Sequence, residues 1–272
     1  MVTTQRQFKV AAAQVDAVFY DAQANLVKII ALIEEAAAAG AKLVVFSELA
    51  LSGYPFHIWL KPYHEQIPYI EDFYTKAAVE ADGLEMRALQ ATCVAHRIRA
   101  VIGFSERDGG SLFMSQWLIG PDGDVVVRRK LKPTSLERIV YGEGDGSDIR
   151  VHETELGRVG LLQCWQGNSA ILTAYAIETG TFVVSASSYF SQQNLDKLFG
   201  AQGGPLTAGS GWTTIIDPEG RTLATAEHDK TCIIYADINL DACYKAKSVL
   251  DPLGHYARRD VFQDVVTDDS SM

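Results

Sequence analysis

Gly157–Asn168, with the sequence GRVGLLQCWQGN, decides how the rest of the chain is interpreted. Its Val159–Gln163 stretch is apolar and β-leaning, which predicts a buried strand, and the polar residues after Trp165 predict a turn into a helix. Cys164 would then lie at a strand-to-helix corner, where a helix N-terminus lowers the pKa of a thiol and favours the reactive thiolate. A lone cysteine is more often a buried structural residue, so the choice depends on the surrounding stretches.

The composition predicts one domain over residues 1–272 that acts on a small neutral substrate. A chain of 272 residues can bury a large core. Its 24 Lys and Arg residues, against 34 Asp and Glu residues, give a net charge of −10. This acidic balance, without a basic stripe, argues against nucleic acids and anionic membranes as partners.

The sequence offers no sign of a leader, a membrane span, a disulfide framework or a metal site. Met1–Gln7 is polar and no apolar run is long enough to cross a bilayer, so we expect a cytoplasmic protein. The cysteines form no CxxC pair and have no histidine at metal-ligand spacing; they are Cys93, Cys164, Cys232 and Cys243. We therefore expect reduced thiols, with neither a metal nor another cofactor.

Glu48 follows a predicted strand and is the first candidate for a catalytic carboxylate. Phe8–Val15 predicts a central strand, Asn25–Ala39 a helix, and Lys42–Phe46 a second strand that ends just before Glu48. Ligands bind at the carboxyl ends of strands in α/β sheets. An ionisable residue at such a strand end is therefore either a surface cap or part of a site, and the local sequence leaves both interpretations open.

Two later strands are joined by a tight turn and predict a mixed sheet. Gly83–His96 is amphipathic and predicts a helix with Cys93 on its buried side, followed by a strand at Arg99–Ser105. Leu112–Ile119 and Val125–Lys130 predict strands, and the Gly-Pro-Asp-Gly sequence between them is typical of a tight turn. This hairpin adds antiparallel strands to the sheet.

The second strand of the hairpin ends in a run of basic residues, RRKLK at 128–132, before Pro133. Such a run is most often a solvated strand end. Because side chains alternate along a strand, Arg129 and Lys130 face opposite sides, and one cation can point inward as Glu48 can. Glu137 and a glycine-rich loop at 142–146 follow; the loop is acidic and lacks a GK[ST] ending, which argues against phosphate binding.

The remaining stretches predict further elements around the Cys164 corner. Pro62–Asp82 is aromatic-rich and predicts irregular or partly helical surface. Downstream we predict a helix, a strand, the two strands of a hairpin and a last strand, at Ala170–Thr179, Thr181–Ser187, Gly211–Ile216, Arg221–Thr225 and Cys232–Asn239. Cys232 is expected in the core. The tail from Val249 shows neither the helical nor the strand periodicity of apolar residues.

Glu48, Lys130 and Cys164 occur in this order, each at a strand end, with Glu137 after a proline. This constellation resembles the nitrilase superfamily and, within it, the nitrilase branch. The resemblance runs from Phe8 to about Val261. The matching stretches are FSELALSGYPFHIW (46–59), RRKLKPTSLER (128–138), YGEGDGSD (141–148), LLQCWQ (161–166), GSGWTTIIDPEGRTLA (209–224) and DPLGHYARRDV (251–261).

The resemblance implies an α/β fold, a four-layer αββα sandwich with two mixed sheets and the site at the strand ends. It also implies hydrolysis of carbon–nitrogen bonds through a covalent thiol intermediate. In this scheme Cys164 is the nucleophile, Glu48 the general base, and Lys130 the cation that stabilises the developing negative charge. Glu137 holds the ammonium in place and assists proton transfer.

As substrate, the resemblance implies an organic nitrile that is hydrolysed to a carboxylic acid and ammonia without a cofactor. Tyr54 and Trp165 would bind it, and Phe56 and Trp59 near the site entrance favour a sizeable aromatic nitrile. A cyanide-degrading relative or an amidase would use the same four catalytic residues. From a different class, an inactive assembly protein of the same fold is a further alternative.

The family further implies a homo-oligomer, in which dimers extend into a helical filament. The short helix predicted after Cys164 is apolar on several sides and suits a subunit interface. The tail 249–272 would become ordered by crossing to a neighbouring subunit.

Two departures from the family pattern lie next to Cys164. Gln166 stands where nitrilases usually have a glutamate after Cys-Trp. The stretch 165–180 has room for one turn and one helix, whereas the family has a further helix and strand there. Either the chain is a deletion form, whose sheet lacks a strand and whose site lacks a wall, or the sequence as written omits a stretch.

Overall fold

The structure, a computed structural model, describes residues 6–163, 169–200, 207–252, 254–258 and 261. In chain order, its strands are β1 (Gln7–Asp16), β2 (Ala41–Val45), β3 (Arg99–Asp108), β4 (Ser111–Ile119), β5 (Val125–Arg129), β6 (Val151–Thr154), β7 (Gly157–Gly160), β8 (Val183–Ser185), β9 (Ser188–Tyr189), β10 (Thr214–Ile216), β11 (Thr222–Thr225) and β12 (Cys232–Asn239).

The described α-helices are α1 (Ala22–Ala38), α2 (His57–Leu60), α3 (Ile67–Asp72), α4 (Leu84–His96), α5 (Ser169–Thr179), α6 (Gln192–Phe199) and α7 (Asp241–Val249). Short 3₁₀ helices occur at Tyr63–Glu65 and Ser135–Ile139, and a π-helical turn at Phe73–Ala77. In the described ranges, every helix is too short or too polar to span a bilayer.

The first sheet is mixed, as the hairpin in the sequence predicts. Its strands lie in the order β12-β1-β2-β3-β4-β5, and β9 pairs with the end of β1. The β1–β2 and β2–β3 ladders are parallel, whereas β12–β1, β3–β4 and β4–β5 are antiparallel. Glu48 and Lys130 therefore follow strands that are not neighbours, because β3 and β4 lie between β2 and β5.

Helices α1 and α4 cover the outer face of this sheet. Asp21 caps α1, since its carboxylate accepts a hydrogen bond from the backbone N–H three residues on at 2.9 Å. Leu26, Ile29 and Ile33 recur at helical spacing and pack into the core against the sheet. Cys93 of α4 is fully buried in the same core, as predicted.

The second layer packs against the opposite face of the first sheet. Strands β8, β10 and β11 form a three-stranded antiparallel sheet, and β6 pairs with β7 in a separate hairpin. Leu118 of the first sheet and Ile215 of β10 share the core between the layers. On the far side, Leu172 and Ala176 of α5 pack on Ile216. The architecture is the four-layer αββα sandwich.

The second layer is divided between β7 and β8. Within the described ranges, β7 pairs with β6 and β8 pairs with β10, and no ladder joins the two groups. The chain between β7 and β8 is also the stretch in which the family resemblance implies a further helix and strand.

The strand before Cys164 is shorter than predicted, and its partner was not predicted. The strand ends at Gly160, whereas the apolar pattern predicted that it would continue to Gln163. The next residues are held by side chains instead of a ladder: the Arg128 guanidinium donates to the Leu161 carbonyl, and the Gln163 amide donates to the Arg128 carbonyl at 3.2 Å. The predicted corner at Cys164 lies outside the described residues.

Other differences concern the second half of the chain. Helices α6 and α7 were not predicted, because neither has a long apolar stripe; α6 begins after Ser191, whose hydroxyl accepts the N–H of Asn194 at 3.2 Å. Cys232 lies in an edge strand and is half-buried instead of lying in the core. The predicted tail begins where α7 ends, at Val249.

Candidate active site

Glu48 lies in the turn after β2, at the carboxyl end of the parallel part of the first sheet. Two backbone hydrogen bonds hold this turn against β3. Phe46 N–H donates to Val101 O at 2.8 Å, and Leu51 N–H donates to Gly103 O at 3.1 Å. These bonds fix the backbone from which the Glu48 carboxylate projects.

Gly103 leaves the space that this turn occupies. A Cβ atom at Gly103 would lie 2.6 Å from the carbonyl oxygen of Ser47 and 2.9 Å from the Cα atom of Glu48. Protein interiors are packed closely, so a side chain at this position would displace the Glu48 turn. Gly103 is thus required by the site although it carries no functional group.

Lys130 follows β5 and is held by its backbone from two sides. Its N–H donates to Met114 O at 2.8 Å, and Gly144 N–H donates to the Lys130 carbonyl at 2.9 Å. The ammonium lies 3.0 Å from Glu48 Oε1 and 2.9 Å from Glu137 Oε2, and the residue is only 6% exposed. One buried cation is therefore held between two carboxylates.

The carboxylate of Glu137 is fixed by three donors. Glu137 lies in the 3₁₀ helix Ser135–Ile139, and the capping residue Thr134 donates its backbone N–H to Oε2 at 2.5 Å. The Lys130 ammonium donates to the same oxygen at 2.9 Å. The Tyr54 hydroxyl donates to Oε1 at 2.9 Å. Rotation of this carboxylate would break all three hydrogen bonds.

Glu48 is the less constrained of the two carboxylates. Its Oε1 atom is buried and, among the described residues, has no partner in hydrogen-bond geometry, although the Lys130 ammonium is at ion-pair distance. A carboxylate oxygen has lone pairs for more than one donor. Glu48 can therefore accept a proton from a further group in the site, whereas Glu137 already holds its donors.

Burial and mutual attraction set the protonation of this cluster. Burial raises the pKa of Glu48 above its ordinary value, and the Lys130 ammonium offsets only part of that rise. Burial acts to lower the pKa of Lys130, but the Glu48 and Glu137 carboxylates outweigh it and raise that pKa overall. Lys130 thus stays cationic, and Glu48 is poised to take and return a proton.

Tyr54 and Trp59 continue the hydrogen-bonded cluster toward the surface. The Trp59 indole N–H donates to the Tyr54 hydroxyl oxygen at 3.0 Å. The Tyr54 ring packs on Phe56, with ring centroids 4.8 Å apart, and Phe56 meets both Phe19 and Phe190 edge-on at 5.4 Å. An aromatic wall therefore stands beside the carboxylates.

The structure brings together Glu48, Lys130, Glu137 and Tyr54 of the predicted site. Cys164 and Trp165 lie outside the described residues. The last described residue before Cys164 is Gln163. Its side-chain amide donates a hydrogen bond to the carbonyl of Arg128, two positions before Lys130. The chain that leads to Cys164 is therefore attached to the strand that carries Lys130.

Several residues of the site were missed at the sequence level. Gly103 had a usable signal, because a glycine inside a strand often marks a close backbone approach. Ser188 of β9 had no such signal. Its hydroxyl lies 2.7 Å from the hydroxyl of Ser47, the residue before Glu48, and the two residues are far apart in the sequence. Within the described ranges, no three His, Cys, Asp or Glu side chains are grouped as metal ligands are.

Comparison with known sequences identifies related proteins. Residues 9–170 match the family model described as carbon–nitrogen hydrolase. The chain is 37% identical to an aliphatic nitrilase of Rhodococcus rhodochrous, over 96% of the chain and 83% of that protein. It is also 37% identical to a bromoxynil-specific nitrilase of Klebsiella pneumoniae subsp. ozaenae, over 94% of the chain and 84% of that protein.

Comparison with solved structures supports the fold. A carbon–nitrogen hydrolase from Helicobacter pylori G27 superposes with a TM-score of 0.75 at 18% identity, covering 96% of the chain and 99% of that structure. The alignment with the Rhodococcus nitrilase spans 309 residues, more than the 272 of this chain, so the relative contains residues without a counterpart here. The family match ends at residue 170, just after Cys164.

Proposed function

Because the chain belongs to the nitrilase branch of the carbon–nitrogen hydrolase family, and is a hydrolase of carbon–nitrogen bonds other than peptide bonds, we propose that it converts an organic nitrile to a carboxylic acid and ammonia. One observation carries this proposal: the buried Lys130 ammonium lies between Glu48 and Glu137. Cys164 is the proposed nucleophile, through a covalent intermediate.

The first step is attack by sulfur on the nitrile carbon. A nitrile carbon is a weak electrophile, so the nucleophile must be a thiolate. Glu48 takes the Cys164 proton, which its raised pKa favours. Its carboxylate can accept a further donor beside the Lys130 ammonium. The carbon–sulfur bond forms as the nitrile nitrogen gains the proton, which gives a thioimidate.

Lys130 stabilises the negative charge that develops on nitrogen. A fixed cation beside the reacting atom needs no reorganisation during the reaction, and loss of one such donor costs about 10²-fold to 10³-fold in turnover. The two carboxylates keep the Lys130 pKa above its ordinary value, so the ammonium is present at neutral pH. Glu137 fixes it in position.

Two water molecules complete the reaction. The first adds to the thioimidate carbon and gives a tetrahedral adduct, from which ammonia leaves as the carbon–nitrogen bond breaks. The remaining thioester is opened by the second water, which releases the carboxylic acid and restores the thiol. Glu48 moves one proton of the first water to the thioimidate nitrogen as the water adds, and moves the hydroxyl proton of the adduct to the same nitrogen as ammonia leaves. It then moves one proton of the second water to the sulfur as the thioester opens.

The aromatic wall favours a sizeable, aromatic nitrile as substrate. The Tyr54 ring and Trp165 are the proposed contacts of the substrate, and Phe56 and Trp59 lie on the same short segment as Tyr54. Phe190 extends the wall, since its ring meets Phe56 edge-on. Flat rings pack well against such surfaces.

We further propose a homo-oligomer, with α5 and the tail 249–272 at the interfaces. Ile171, Tyr175 and Ile177 of α5 are 53%, 41% and 39% exposed, which is a large apolar surface for one short helix. An isologous dimer would bury this surface symmetrically, and a second, heterologous contact would give a helical filament. Light scattering tests this: a mass near 29.8 kDa contradicts it, and dissociation on truncation after Leu250 supports it.

Ammonia release tests the proposed activity. The purified protein and Cys164→Ala are incubated with an aromatic nitrile, an aliphatic nitrile, cyanide and an amide. We expect ammonia and acid from an organic nitrile with the native protein and none with the variant. Equal background from both on every substrate would leave the inactive assembly protein as the interpretation, and preference for cyanide or the amide would select those alternatives.

A further inference from the structure

We propose that the Tyr54 hydroxyl and the Trp59 indole are positioning groups: they form a hydrogen-bonded chain that fixes the Glu137 carboxylate on Lys130. This proposal rests on the proposed function, because it assumes that Lys130 stabilises the reacting nitrogen. It separates the hydroxyl of Tyr54, which donates to Glu137, from the ring of Tyr54, which is the proposed substrate contact.

The direction of this chain is fixed by the chemistry of its members. An indole N–H can only donate, so at 3.0 Å the Tyr54 oxygen accepts from Trp59. The single hydroxyl proton of Tyr54 is then left for Glu137 Oε1 at 2.9 Å. Burial raises the pKa of Tyr54 well above its ordinary value, so the proton stays on the hydroxyl.

The packing of helix α2 keeps the donors in place. Phe56, which precedes α2, packs on the Tyr54 ring and is enclosed by Phe19 and Phe190. Trp59 itself lies on α2 and is 47% exposed. The surface helix α2 is therefore connected to the Lys130 ammonium through Trp59, Tyr54 and Glu137.

The geometry also decides what the hydroxyl does not do. Its oxygen accepts from Trp59 and its proton is donated to Glu137, so binding a substrate atom as donor would require loss of the Glu137 hydrogen bond. The Glu137 carboxylate would then be held by the two hydrogen bonds to Oε2, without the Tyr54 hydrogen bond to Oε1 that opposes its rotation. Loss of the Tyr54–Glu137 hydrogen bond should therefore slow the chemical step and leave substrate binding unchanged.

Tyr54→Phe tests this directly, because it removes the hydroxyl and keeps the ring. A hydrogen bond to a charged group is strong, so we expect kcat for a nitrile to fall about tenfold or more while KM stays within about twofold. Tyr63→Phe is the matched control: Tyr63 is 70% exposed in the neighbouring 3₁₀ helix, and its variant should match the native protein. A higher KM with unchanged kcat would overturn the proposal, since it would assign the hydroxyl to substrate binding.

Trp59→Phe tests the chain as a unit. The single variant should lose less kcat than Tyr54→Phe, and the double variant should equal Tyr54→Phe alone, because Trp59 acts only through the hydroxyl. If the losses of kcat in the two single variants multiply in the double variant, Trp59 and Tyr54 act independently, which would contradict the hydrogen-bonded chain. Circular dichroism and thermal unfolding of each variant establish that the fold is retained.

A second measurement keeps the proposal testable if no nitrile is turned over. The native protein would then have failed the proposed function, but the rate at which iodoacetamide alkylates Cys164 still reports on the groups around the thiol. We expect Tyr54→Phe to slow this alkylation several-fold and Tyr63→Phe to leave it unchanged, as followed by mass spectrometry. Equal rates in all three proteins would overturn the positioning role.

Discussion

The Lys130 ammonium lies 3.0 Å from Glu48 Oε1, although strands β3 and β4 separate the strands that carry the two residues. The contact therefore crosses the width of two strands at the end of the sheet. Gly103 on β3 provides room for the Glu48 turn, and Met114 on β4 holds the Lys130 backbone. The Glu48–Lys130 ion pair thus depends on the strands between its members.

Gly103→Ala is expected to destabilise the protein and disturb Glu48. Its Cβ atom would lie 2.6 Å from the Ser47 carbonyl oxygen, and overpacking of this kind costs about 1–3 kcal/mol. Gly110→Ala is the matched control, since a Cβ atom there meets nothing within 4 Å. Denaturant unfolding measures both. Equal stability of the two variants would show that the turn does not depend on this glycine.

Lys130→Ala should lower turnover by about a hundredfold or more, because it removes the cation beside the reacting nitrogen. Lys132→Ala should have little effect. Lys132 is exposed and pairs with Glu143 at 2.5 Å, and exposed ion pairs contribute little. Steady-state kinetics on one nitrile compares them. A greater loss of turnover with Lys132→Ala than with Lys130→Ala would contradict the assignment of Lys130 as the cation that points into the site.

The pH dependence should report the raised pKa of Glu48. Glu48 acts as a base only when it is ionised. The value of kcat/KM should therefore be high at neutral pH and fall as the pH falls through the Glu48 pKa, with a midpoint above the ordinary 4.5. The pKa of Lys130 is also raised, so its charge is lost only above the ordinary 10.5. A pH–rate profile of the native protein measures the acid limb.

Glu143→Gln provides the control for this profile, because Glu143 is exposed at the surface beside Lys132. The acid limb should keep its midpoint in that variant, whereas Glu48→Gln should abolish turnover. An acid limb at or below 4.5 in the native protein would contradict the role of Glu48 as the buried base.

Sequence reasoning placed Glu48 and Lys130 at strand ends because each follows a short apolar run within a few residues. Alternation along the strand allowed one of the basic residues to point inward, and the family resemblance selected Lys130. Helix α4 was likewise predicted nearly to its ends from its apolar period. Such features depend on a few consecutive residues.

The features that were missed depend on residues distant in the chain. The strand before Cys164 ends at Gly160, and beyond it the Arg128 guanidinium donates to the Leu161 carbonyl. No local sequence pattern contains that contact. The bond from Tyr54 to Glu137 likewise joins two distant segments. Helix α7 has no long apolar stripe and was assigned to no element at the sequence level.

The most direct test of the account is the mass of the covalent intermediate. The native protein is mixed with an aromatic nitrile, quenched in acid within a turnover, digested and analysed by mass spectrometry. We predict a thioimidate or acyl adduct on the Cys164 peptide and none on Cys93, which is fully buried and whose pKa burial raises to about 12, nor on Cys232 or Cys243. Turnover with no adduct on Cys164, or turnover that persists in Cys164→Ala, would contradict covalent catalysis through this thiol.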